Sequence, residues 1–144
     1  MELELERVVP GSPATVYEAV ADPARLARWW GPQGFTIPSL DFEPSVGAAY
    51  RIEMLPPEGD PFYLAGAFLE VDPPGRLTFT FRWEDPDPED VENVAQLTFE
   101  ERGESTHVAL VQGPFRTEAR RQLHHDGWTD SFDRLEGLLS GTDR

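Results

Sequence analysis

Residues 117–139 read TEARRQLHHDGWTDSFDRLEGLL, and this stretch decides the fold. Trp128, Phe132, Leu135 and Leu139 recur at spacings of four, three and four, which puts them on one narrow stripe of an amphipathic α-helix. Gly127, Asp130, Asp133 and Arg134 fall on the opposite, wet face. Thr117 can cap the start by accepting from an orphan backbone N–H, and Glu118 suits the positive helix end. Gly141, just past the last apolar residue, reads as the stop. A long helix with one dry face needs a surface to bury it. Nearly everything over residues 35–112 reads as short strands, so that surface is a sheet.

Upstream, residues 2–8 alternate, with Leu3 and Leu5 on one face and Glu4 and Glu6 on the other, a half-buried strand. Arg7 shares the parity of Leu3 and Leu5 and points inward. Ser12-Pro13 and Asp22-Pro23 are two successive helix starts, each a capping side chain before a proline. Gly31-Pro32 ends the second helix, on which Leu26, Trp29 and Trp30 lie three and four apart. From residue 35 the period changes to two. Tyr50, Ile52 and Met54 alternate with Arg51 and Glu53. Residues 62–71 form a longer strand with Gly66 as a bulge or close-approach point. Leu77, Phe79, Phe81 and Trp83 give the clearest alternation. Ala95, Leu97 and Phe99, then Val108 and Leu110, make a hairpin around Gly103. Residues 84–92 are an acidic, proline-broken loop. The expected architecture is α+β: a curved antiparallel sheet of about six or seven strands around the C-terminal helix, with two short helices after the first strand. A sheet curved around one helix leaves a wedge of space where the two part, and such wedges hold ligands.

The chain has 144 residues, read as a single domain over residues 1–144. Its net charge of -15 argues against nucleic acid and against an anionic membrane surface as partners, since both need a surplus of Lys and Arg. With no Cys there is no disulfide framework and no thiolate chemistry. No apolar run reaches membrane length, and the acidic opening MELELER is wrong for a secretory signal. A cytoplasmic location is expected. No phosphate loop, dinucleotide fingerprint or G-x-S-x-G motif is present.

Four segments together resemble a known family. Asp22-Pro23 with Leu26 and Trp29-Trp30-Gly31-Pro32, Val46-Gly47 with Tyr50-Arg51, Val71-Asp72-Pro73-Pro74 with Arg76-Leu77-Thr78-Phe79, and Gly127-Trp128 with Leu135 carry the likeness. They are similar to the START-like superfamily of helix-grip folds, which includes lipid-transfer domains, Bet v allergens and polyketide cyclases. Within it they resemble the family of the C-terminal domain of activators of the ninety-kilodalton heat-shock chaperone's ATPase. The resemblance implies a fold and a cavity rather than a reaction. It leaves three roles open: binding of a small hydrophobic or aromatic ligand, a cochaperone-like surface, and a cyclase- or hydrolase-like enzyme.

The residues expected around the cavity are Arg7, Trp30, Tyr50, Ile52, Met54, Phe79, Phe81, Trp83, Leu97, Phe99, Arg121, His124, His125, Trp128 and Phe132. The aromatic members suit a flat apolar ligand but equally suit a core. Of Trp29 and Trp30, one seals the sheet and the other edges the cavity or a partner surface. Arg121 lies seven residues before Trp128 on the same stripe, so its charge either reaches solvent or meets an anionic ligand at the cavity mouth. Arg7 poses the same question, with a structural pair to a Glu as the alternative. His124 and His125 flank the stripe. Adjacent imidazoles on a helix diverge by about 100°, so no metal site and no cofactor is expected. In the enzyme reading either His is the acid or base, with Arg121 or Arg7 as oxyanion partner.

Overall fold

A computed structural model describes residues 1–141. Its elements are β1 (Leu3–Pro10), α1 (Pro13–Ala21), α2 (Pro23–Leu26), β2 (Leu40–Asp41), β3 (Ala49–Met54), β4 (Phe62–Asp72), β5 (Arg76–Trp83), β6 (Asn93–Arg102), β7 (Ser105–Gly113) and α3 (Glu118–Leu139). The seven strands make one sheet in the order β1-β7-β6-β5-β4-β3-β2, antiparallel at every pairing. This is the helix-grip α+β architecture that the alternating strands and the closing helix imply.

The helix starts follow their caps. Ser12 Oγ accepts from the Thr15 N–H at 3.2 Å, Asp22 Oδ1 from Ala24 at 3.3 Å and Thr117 Oγ1 from Arg120 at 3.2 Å. α3 ends at Leu139 with Ser140 as its C-cap, and Gly141 follows with a φ of 78° that suits a residue with no Cβ. Gly66 is a close-approach point: a Cβ there would lie 2.1 Å from the Thr80 carbonyl oxygen. The register shift in the β4–β5 pairing falls further along, between Phe68 and Glu70.

The inward positions of β3 to β7 build the core, with Ile52, Leu64, Leu77, Phe79, Leu97 and Leu110 all almost fully buried. α3 lays Trp128, Phe132 and Leu135 on it. Of the strands, α3 approaches β1 most closely. There Arg7 does point inward, and its Nη1 reaches Asp133 at 2.8 Å and Glu136 at 3.0 Å on the helix. Toward β3, β4 and β5 the sheet curves away from α3, and the wedge opens.

The segment after α2 is tied across this wedge. Arg134 donates to the carbonyls of Trp30, Gly31 and Pro32 at 3.0, 3.1 and 3.3 Å and to that of Arg28 at 3.2 Å. The Gly31 N–H donates to Ser131 Oγ at 2.9 Å, and the Gln33 N–H to Asp130 at 3.2 Å. The face expected to be wet therefore grips a loop. Both tryptophans of that loop are buried. Trp29 donates its indole N–H to the Ala19 carbonyl at 2.9 Å, while Trp30 turns to α3 and meets Trp128 edge-on at a centroid distance of 5.0 Å.

Candidate functional site

The wedge holds a cavity of about 350 Å³. Its wall is a belt of rings and apolar side chains: Trp30, Phe35, Met54, Phe62, Phe81, Trp83, Leu123 and Trp128. Neighbouring rings meet mostly edge to face, as in Phe35–Phe62 at 5.9 Å, Phe62–Trp83 at 5.4 Å and Phe81–Trp83 at 5.3 Å, the arrangement aromatic quadrupoles favour. Phe62 and Leu123 are exposed and mark the open end.

α3 faces this space with a stripe of its own. Arg120, Leu123, His124, Gly127 and Ser131 line the cavity beside the core stripe of Trp128, Phe132 and Leu135. Gly127 and Ser131, four apart, are too small to fill the wedge.

Each polar group that the wall carries inward already has a protein partner. Trp83 donates its indole N–H to His124 Nε2 at 3.0 Å, and His124 Nδ1 lies 2.8 Å from the Arg120 carbonyl. An indole only donates and a carbonyl only accepts. His124 is therefore neutral, with its proton on Nδ1. Burial pushes its pKa below the ordinary value, the Arg120 carbonyl pulling the other way. Trp128 donates to Gln112 Oε1 at 2.7 Å, Gln112 donates to Asn93 Oδ1 at 3.0 Å, and Asn93 to the Pro114 carbonyl at 3.2 Å. Ser131 Oγ accepts from Gly31 and donates to the Gly127 carbonyl at 3.0 Å.

Among the described lining residues the charged side chains are Asp85, Asp87, Asp90 and Arg120. Arg120 Nε donates to Asp90 at 2.7 Å, both side chains being largely buried. Asp85 and Asp87 complete the acidic side. Asp87 is fixed locally: its N–H donates to Asp90 Oδ2 at 2.9 Å and its Oδ1 accepts from the Glu89 N–H at 2.9 Å.

Of the side chains expected at the cavity, Trp30, Met54, Phe81, Trp83, His124 and Trp128 line it. Tyr50, Ile52, Phe79, Leu97, Phe99 and Phe132 lie in the core instead, and Tyr50 spends its hydroxyl on the Thr80 carbonyl at 2.6 Å. Burial drives the Tyr50 pKa upward. The two arginines are corrected. Arg7 is held by Asp133 and Glu136, the structural alternative. Arg121 pairs with Glu118 one turn earlier, because a guanidinium at the open first turn finds a carboxylate there more cheaply than it enters an apolar wedge. His125 is likewise off the cavity, its Nδ1 3.8 Å from Asp126 Oδ1. The acid–base constellation of a His with Arg7 or Arg121 is thus not assembled.

The sequence reading missed Arg120, Phe35, Phe62, Tyr63 and Leu123, and the acidic loop's place at the rim. Gly127, expected on the wet face, lines the cavity with Ser131, and the small size of these two residues, four apart, was the one available signal. Among the described residues no three His, Asp or Glu side chains are grouped to hold a metal ion. No helix among them is long and apolar enough to cross a membrane.

Comparison with known proteins agrees with the fold. The family model described as activator of Hsp90 ATPase homolog 1-like protein matches residues 10–140. A solved structure of a Chromobacterium violaceum protein is 28% identical, with a TM-score of 0.88 over 96% of each chain. An AHSA1 protein from Silicibacter pomeroyi is 27% identical, with a TM-score of 0.87 over 97% of this chain and 98% of that one. A Mesorhizobium loti protein is 26% identical, with a TM-score of 0.83 over 100% of both chains. No curated protein matches the chain.

Proposed function

The chain belongs to the activator of Hsp90 ATPase homolog 1-like family, and from that premise we propose that it binds a small hydrophobic or aromatic ligand between the sheet and α3. One observation carries the reading: a ring-lined cavity of about 350 Å³ in the wedge between the sheet and α3. Protein interiors are close-packed, with few voids larger than a water molecule, and ligand sites run from about 300 to 1,000 Å³. Leaving this volume open forgoes the packing that a bulkier residue at Gly127 or Ser131 would supply. Apolar burial at about 25 cal/mol per Å², before ordering costs, supplies the affinity. The size suits a fused-ring compound or a short acyl chain. We propose that residues 1–144 work as one domain in the cytoplasm.

The test is native mass spectrometry of freshly purified protein, alongside titration with a neutral solvatochromic dye. A co-purified small molecule or saturable one-to-one dye binding is expected. Neither being seen would remove the ligand-binding reading.

The family description favours a second reading, a cochaperone that acts by surface contact. Stimulation of the ninety-kilodalton chaperone's ATP hydrolysis by this chain would support it. An unchanged rate at saturating protein would dismiss it.

A further inference from the structure

The charge of the ligand can be read from which polar groups are already engaged. Inside the cavity none is left for a ligand to satisfy: the indoles of Trp83 and Trp128, both nitrogens of His124 and the hydroxyl of Ser131 all have protein partners. The deep end therefore takes an apolar body, and the ligand's own polar group must stay at the mouth.

Among the residues lining the cavity, Arg120 is the one cation, and its charge is balanced by Asp90 at 2.7 Å. The nearby arginines are already engaged: Arg121 with Glu118, Arg51 with Glu84 at 2.7 Å and Arg116 with the Pro88 carbonyl at 3.3 Å. Asp85 and Asp87 have no cationic partner among the described residues. The described lining thus carries Asp85, Asp87 and Asp90 against Arg120 alone, a net negative balance on a chain whose net charge is -15. The faces of Phe62 and Trp83 beside it are negative as well, and aromatic faces attract organic cations.

Resting on the ligand-binding reading above, we propose that the cavity selects amphiphiles with a cationic head: an aromatic or short alkyl body between Trp30, Phe81 and Trp128, and a protonated or quaternary amine at Asp85 and Asp87. The corresponding carboxylates meet two like charges that no cation among the described residues balances and are discriminated against. This sets aside the alternative of an arginine-anchored anionic ligand, because Arg7 and Arg121, which would hold one, are already paired.

The experiment is isothermal titration of the full chain with three compounds sharing one body: 1-naphthylmethylamine, 1-naphthalenemethanol and 1-naphthoate. At low ionic strength the amine should bind about tenfold or more tightly than the carboxylate, with the alcohol between them. The gap should narrow in about 1 M salt, where the screening length is about 3 Å. An Asp85→Asn, Asp87→Asn double variant should lose the preference and keep the alcohol's affinity, since an asparagine oxygen at 87 can still accept from the Glu89 N–H. Equal or tighter binding of the carboxylate, with the alcohol still bound, would overturn the charge preference and leave the ligand-binding reading intact. Failure of all three to bind would overturn both.

Discussion

Trp83 donates its indole N–H to Nε2 of His124 at 3.0 Å, so a strand and the closing helix meet at the cavity wall through one bond that needs a neutral imidazole. Arg120 and Asp90 are the charged groups acting on His124 there. The unfolded chain takes up a proton at the ordinary histidine pKa near 6.5, and the folded chain resists it. The unfolded state then binds more protons, so stability rises with pH across that window and falls as pH drops below about 6.5. Urea midpoints should fall between about pH 7.5 and about pH 5.5, and His124→Gln should flatten the decline. Parallel declines in the two proteins would show that His124 does not carry the effect.

Trp128 is anchored at both ends of its ring system, by Trp30 on one side and by Gln112 through its N–H. Trp128→Ala should cost about 3–5 kcal/mol, the range for truncating a large buried aromatic. Gln112→Met keeps the volume but strands the indole N–H and the Asn93 side-chain oxygen, and should cost about 1–3 kcal/mol for each group left unsatisfied. Denaturant unfolding checks both, and an unchanged midpoint for either would refute this role.

Arg134 bonds four carbonyls of the segment that carries Trp30. Arg134→Met should destabilise by about 1.5–3 kcal/mol and shift tryptophan emission to the red as Trp30 loosens. Lysine should rescue poorly, because one ammonium cannot reproduce the planar fork. Full rescue by lysine would mean that charge alone suffices.

Arg121 is bound to Glu118 away from the cavity. Arg121→Met should leave both the melting temperature and ligand affinity where they were. A selective loss of affinity would return Arg121 to the site.

Much of this fold is legible in the chain because local chemistry dictates it. Ser12, Asp22 and Thr117 sit before their helices and do cap them, and the alternation from Leu77 to Trp83 is a strand. Even Gln112 continues the inward parity of Val108 and Leu110, so its burial could have been read. The cavity is harder to see. It exists because a curved sheet departs from α3, and curvature is a sum over seven strands that no single segment encodes. Core rings such as Phe79 and Phe99 and wall rings such as Phe81 and Trp83 have the same sequence signature, and only the distance to the helix separates them. Arg120 and Arg121 differ by one helical step, yet one reaches Asp90 from a distant loop and the other a glutamate one turn away.

The most direct test of the central claim is to fill the cavity from the helix. A Cβ at Gly127 would have Pro32 Cγ at 3.9 Å as its nearest neighbour, so a larger side chain there has room to grow into the cavity. Gly127→Ala should raise stability by about 0.5–1 kcal/mol through helix propensity alone. Gly127→Leu should fold at least as stably as the parent and occupy the space that the ligand uses. The measurement is the dissociation constant of a neutral apolar probe, 1-naphthalenemethanol, for the parent and for Gly127→Leu. A loss of about tenfold or more, worth at least about 1.4 kcal/mol, with the melting temperature retained is the predicted result. Equal affinity in the two proteins would contradict the claim that ligands bind between the sheet and α3.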